Sequence, residues 1–301
     1  MARRSAEQCG TLGGLPSLTL GDDGGSPLAI LPGISPEHAI GSGPVANAEL
    51  SLARAFAGRF RVTWLARRPG LSDDGAASRT MAAIAAEHAE ALRAGFPSRP
   101  VDVLGISTGG SLALQLAADH PDVVRRLVLV SSAAQLGAVG RAEQRAVAER
   151  VRAGDVRGAF ARIVADTVPD PVPETGAREA ALHRRLAALA RPPLAAAGWA
   201  LGPLLWPHAG DLRDMAALID AEEAFDLRAR LHEVRAPVLV VAGGRDPYYD
   251  AGAFEQLARG VPDGRLVRYA RRGHGTVAAD PRFAARVTRF LLAPDPRAAT
   301  R

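Results

Sequence analysis

Ser107 stands in Gly105-Ile106-Ser107-Thr108-Gly109, between an apolar run (Val101–Ile106) and a helix-forming run (Leu112–His120). A serine hydroxyl is almost wholly protonated at neutral pH, so it attacks a carbonyl carbon only when a neighbouring base takes its proton. Glycine on both sides of a serine arises easily by chance in a chain with 31 glycines. The context distinguishes this instance, because the flanking runs predict a strand-to-helix turn at the serine. A hydroxyl presented from so tight a turn needs a strained backbone. A Cβ two residues to either side would collide with the crossing strand and helix, and Gly105 and Gly109 lack that atom. The same turn aims the amide of Thr108 at the space in front of Ser107, where a helix N-terminus favours developing negative charge.

A parallel sheet would position such a turn. "LAILPGI" (Leu28–Ile34), "RVTWLAR" (Arg61–Arg67), "VDVLGI" and "VRRLVLVSS" read as strands, with helical patterns between them over the segments around Leu50–Phe56, Thr80–Ala94 and Leu112–His120. The alternation resumes with "APVLVVAGG", "DAGAFEQLARG", "GRLVRYA" and a last helix reaching Leu292. Strand alternating with helix predicts an α/β protein, its mostly parallel central sheet covered by helices on both faces. Between Ser132 and Arg235 no convincing strand occurs; that stretch predicts a helical cap inserted between two strands. The expected organisation is a flexible arm over 1–14, a core over 15–132 and 236–293, a lid over 133–235 and a tail over 294–301.

With these elements in order, the chain resembles the α/β-hydrolase superfamily, and Gly105–Gly109 resembles its nucleophile elbow. The resemblance covers the core from about Leu28 to Leu292, apart from the insert. In that family the triad partners follow in the order serine, acid, histidine. The resemblance therefore implies Asp246, just past the strand ending in Gly243-Gly244, as the acid, and His274, between two glycines before the last helix, as the base. Asp250 is the alternative acid; its position also suits a cap on the helix starting near Ala251. The family's oxyanion loop maps onto Leu31–Pro36, where Pro32 replaces a common histidine. This implies the amide of Ile34 as the donor that joins Thr108. "ARRPG" (Ala66–Gly70) departs from the family's usual Asp-x-Arg-Gly, and neither Arg67 nor Arg68 receives a catalytic role. Serine at the elbow argues against the dehalogenase and epoxide hydrolase relatives, which place aspartate there.

The implied activity is hydrolysis of a carboxylic ester or similar small acyl compound through an acyl-enzyme. A peptidase or perhydrolase relative would use the same triad, and a ligand-binding receptor could occupy the same scaffold. Within the lid, Trp199, Leu204, Leu205, Trp206 and His208 are the candidate substrate-facing residues, packing of lid onto core being their other reading. No metal or other cofactor is expected: the His and carboxylate spacings lack ligand clustering, and "GDDGGS" precedes a strand rather than a helix.

Composition sets the outer limits. Of 301 residues, 48% are hydrophobic and 23% charged, as expected of a soluble globular chain. All 37 fixed cations are arginine, interleaved with carboxylates to a net charge of +5, a pattern that argues against a nucleic-acid face. The single cysteine, Cys9, excludes an intrachain disulfide framework. No run reaches membrane-spanning length and "MARRSAEQCGTLGG" lacks a signal-peptide core, so a cytoplasmic protein with no membrane partner is expected. The oligomeric state is not legible.

Overall fold

The computed structural model describes residues 7–36, 44–75, 78–165, 177–206, 212–249 and 252–294. Eight strands form one sheet: β1 (Gln8–Leu12), β2 (Leu15–Leu20), β3 (Ser26–Leu31), β4 (Phe60–Leu65), β5 (Val101–Ile106), β6 (Val124–Val130), β7 (Val238–Gly243) and β8 (Gly264–Tyr269). Their order across the sheet is β1-β2-β4-β3-β5-β6-β7-β8. The pairs β1–β2 and β2–β4 are antiparallel, and every pairing from β4 to β8 is parallel. The central strands are buried on both faces, which explains their unbroken apolar runs.

The reading of 1–14 as an arm needs correction, because Gln8–Leu12 is the edge strand β1. The hairpin turns through Gly13 and Gly14, both at positive φ (56° and 86°), where glycine is the residue that fits without strain. At Gly13 the approach is also tight: a Cβ would lie 2.4 Å from Ala91 Cα.

Helices α1 (Pro44–Phe56), α2 (Met81–Gly95) and α3 (Thr108–Asp119) follow β3, β4 and β5. After β6 the chain leaves the sheet for α4 (Ala138–Arg152), α5 (Val156–Ala165), α6 (Ala177–Leu205) and α7 (Arg213–Glu223), then returns through β7, α8 (Ala253–Gly260), β8 and α9 (Phe283–Leu291). One face of the sheet packs on α2, α3 and α8 through residues such as Leu92, Leu114 and Leu257. The other packs on α1 and α9 through Phe56, Phe60 and Phe283. A third apolar cluster, with Val147, Phe160, Trp206, Met215 and Ile219, holds the inserted helices together. This mixed but mostly parallel sheet, clad on both faces and interrupted by a helical insertion, is the architecture expected from the sequence.

Candidate active site

The elbow is built as its glycines demand. Ser107 follows the last residue of β5 and precedes α3, with φ 52° and ψ −123°, a conformation that non-glycine residues rarely adopt. Its amide donates to Val130 O of β6 at 2.9 Å, which ties the strained residue to the sheet. A Cβ on Gly105 would lie 2.4 Å from Gly109 O and 2.6 Å from Gly110 Cα. One on Gly109 would lie 2.2 Å from Leu31 O and 2.3 Å from Pro32 O. Both obstacles are backbone, so neither can yield cheaply.

Three side chains from distant segments meet here. His274 Nε2 lies 2.8 Å from Ser107 Oγ. His274 Nδ1 lies 2.9 and 3.0 Å from the two oxygens of Asp246. The Asp246 side chain is fully buried, and its Oδ1 also accepts the Tyr248 amide at 3.0 Å. Since a carboxylate only accepts, it fixes the proton on Nδ1 and leaves Nε2 to accept from the serine hydroxyl. Asp250 and His208 lie outside the described residues.

The histidine loop is held independently. Thr276 Oγ1 accepts from Gly273 N at 2.9 Å, and Arg245 N donates to Arg272 O at 2.9 Å, next to the acid. Ser131, at the end of β6 with φ 50°, donates its hydroxyl to His274 O at 2.9 Å. The Tyr248 ring lies 4.4 Å from the imidazole, tilted by 33°.

Behind the elbow sits a group that the sequence did not announce. Glu222 of α7 is completely buried and accepts from Thr108 Oγ1 (2.6 Å), Ser111 Oγ (2.8 Å) and Gln144 Nε2 (2.8 Å). A lid helix is thereby joined to the first turn of α3. A second lid contact is Asp214, which accepts from Gly70 N at 2.6 Å and Ser72 N at 2.7 Å. Nearby, buried Arg67 donates to Ser35 O at 3.2 Å; burial lowers its pKa to about 10, with Asp214 opposing. Arg67 thus braces the loop that carries Gly33 and Ile34.

A cavity of about 410 Å³ opens over Ser107 and His274. Ile34 and Ile106 line it from the core, Gln144 and Val147 from α4, Ile163 from α5, Met215 and Ile219 from α7. Four of the lid residues expected to face substrate do not line it. Trp199 is half exposed under Arg157, and Trp206 is buried in a stack on Phe160 at 5.3 Å. Leu205 is only partly buried against the lid's internal cluster, and Leu204 is exposed. These residues lie in or just past the last turns of α6, whose Gly198 and Gly202 pack on Phe160 of α5. The spacings Gln144/Val147 and Met215/Ile219 would have marked the inward faces of α4 and α7.

A family model described as alpha/beta hydrolase fold matches residues 38–279. The chain belongs to the alpha/beta hydrolase fold family. Among curated relatives, this hydrolase-fold chain is 30% identical over 177 residues to the pimeloyl-[acyl-carrier protein] methyl ester esterase of Neisseria meningitidis serogroup C, covering 58% of this chain and 62% of that one. The chain thus spans less than two thirds of that relative's length. It is 35% identical over 175 residues to polyketide synthase ThaQ of Burkholderia thailandensis, covering 57% of this chain and 8% of that protein. The crystal structure of MGS-M2, an alpha/beta hydrolase from a Medee basin deep-sea metagenome library, superposes with a TM-score of 0.68 at 18% identity, over 96% of this chain and 98% of that one. Among the described residues no helix is long and apolar enough to cross a membrane.

Proposed function

We propose that the protein is a serine hydrolase acting on a carboxylic ester or similarly activated acyl compound. The observation that carries this reading is the row Ser107 Oγ, His274 Nε2, His274 Nδ1, Asp246, with links of 2.8 and 2.9 Å. His274 takes the serine proton as Ser107 attacks the carbonyl carbon, and Asp246 holds the imidazole in the required tautomer and stabilises the imidazolium. The amides of Thr108 and Ile34 receive the oxyanion. Thr108 opens α3, where first-turn amides lack a partner within the helix, and Ile34 lines the cavity beside the serine. His274 then protonates the leaving group, and water releases the acyl-enzyme.

The cavity is apolar over most of its wall, which suits an acyl chain of moderate length. The likeness to pimeloyl-[acyl-carrier protein] methyl ester esterases favours an ester over an amide. A core division at 15–132 and 236–293, with the lid over 133–235, belongs to the same reading.

Ser107→Ala should keep the fold and lower ester turnover by several orders of magnitude, and a fluorophosphonate probe should label Ser107 alone. Undiminished turnover in the variant would remove the serine mechanism. Tight ligand binding with neither labelling nor turnover would instead favour a receptor on this scaffold.

A further inference from the structure

A second cavity, of about 540 Å³, lies where β8 ends, with none of the active-site cavity's residues in its wall. Its lining is Tyr269, Ala270, Arg271, Arg272, Asp280 and Arg282. Charge is unbalanced there. Arg272 Nε and Arg282 Nε share the one carboxylate, Asp280, at 3.4 and 3.0 Å. Arg271 is exposed and has no ion-pair partner among the described residues. Arg286 adds a fourth guanidinium. It lies 5.7 Å from the Tyr269 ring centre, as Arg282 does at 5.6 Å, and it too lacks a carboxylate partner among the described residues.

The tyrosine between these cations is unsatisfied. Tyr269 is 5% exposed, and its hydroxyl has no hydrogen-bond partner among the described residues. A buried donor left empty is unfavourable, so the site is short of an acceptor. Four guanidinium groups against one carboxylate leave it short of negative charge as well. The backbone beneath is fixed: Tyr269 O accepts from Gly244 N at 2.9 Å and from Arg272 N at 3.0 Å. Arginine forks match tetrahedral oxyanions with paired N–H donors.

We propose that this cavity binds a phosphate group, held by Arg271, Arg272, Arg282 and Arg286, with the Tyr269 hydroxyl donating to one of its oxygens. Binding of the free ion does not need the hydrolase reading, whereas binding of a substrate's phosphate rests on it. Its phosphate comes from one of two sources, a free phosphate ion or a phosphate carried on the thiol half of an acyl thioester substrate.

Isothermal titration of the full chain with inorganic phosphate at low ionic strength tests the site without any turnover. Saturable one-to-one binding is expected. Arg271→Ala with Arg286→Ala should weaken it at least about tenfold, the effect of losing charge-assisted contacts. Tyr269→Phe, which removes one oxygen and keeps the ring, should weaken it several-fold. Hydrolysis of a small neutral ester should stay within about twofold in all variants, since none of these residues touches the cavity over Ser107.

An acyl coenzyme A and the same acyl group on N-acetylcysteamine separate the sources. A rise in KM for the first alone, in the arginine variant, assigns the site to substrate phosphate; unchanged KM for both, with phosphate binding lost, assigns it to the free ion. No saturable binding at millimolar phosphate, or binding indifferent to all three substitutions, overturns the proposal.

Discussion

Glycines flank both reacting residues, and the sequence makes them look alike, but the space around them differs. A Cβ at position 109 would sit 2.2–2.3 Å from two backbone carbonyl oxygens, whereas one at position 275 would meet nothing within 4 Å. Gly109→Ala should therefore displace the elbow or the end of β3. We expect a stability loss of several kcal/mol and near-complete loss of ester turnover. Gly275→Ala should leave the melting temperature within about a degree or two and keep most activity, although it adjoins His274. Equal behaviour of the two variants would contradict the packing described here. At this scale Ser107, Asp246 and His274 were legible because a tight turn and two loop positions demand particular residue types. Ser131 and Glu222 were not, because a single hydroxyl or carboxylate in an ordinary strand end or helix carries no spacing signal. The four aromatic and leucine positions at the end of α6 misled, since apolar character marks burial without saying which side of a helix is covered.

The elements divide between those that declared themselves and those that did not. β3 to β7 are mostly apolar runs bounded by turn residues, β8 mixes Leu266, Val267 and Tyr269 with two arginines, and each was readable. β1 was missed because Gly-rich "CGTLGG" read as part of an arm, and "LPSLTL", assigned to the core, was given no strand; the glycines are the hairpin turn. Pro192 and Pro193 lie inside α6, although proline in a helix interior removes a backbone hydrogen bond. The element with most consequence for the site is α7, whose Glu222 takes three donors from α3 and α4 with no exposure of its own. Glu222→Leu strands those donors in a dry interior and should destabilise the protein by about 2–4 kcal/mol. Because Thr108 also carries a proposed oxyanion amide, kcat should fall further than KM rises. Thr108→Val removes one of the three bonds and should cost about 1 kcal/mol. A melting temperature unmoved by Glu222→Leu would mean that the lid and the elbow are not coupled through this carboxylate.

Over the whole molecule, two buried groups on different elements make stability depend on pH in opposite senses. His88 of α2 places Nδ1 2.8 Å from Ile84 O, to which it donates, and burial drives its pKa down to about 4, aided by the nearby Arg67 charge. Between pH 6.5 and 4 the unfolded chain therefore binds a proton at this site that the folded one refuses, so stability falls as pH falls. Asp102 of β5 behaves the other way. Burial raises its pKa to about 6 in spite of its ion pair with Arg125. Between about pH 4 and 6 the folded chain keeps a proton that the unfolded one releases, so stability falls as pH rises. Each shift amounts to roughly 3 kcal/mol over its window, and the two largely offset. Asp102→Asn should leave the histidine's contribution uncompensated, making the melting temperature fall more steeply from pH 6.5 to 4.5 than in the parent chain. His88→Gln should flatten or reverse that trend. The exposed carboxylates held low by arginine partners, such as Asp122 and Asp226, are common to all three proteins and cancel in the comparison. Three parallel melting profiles across this range would show that neither buried group titrates differently in the folded chain.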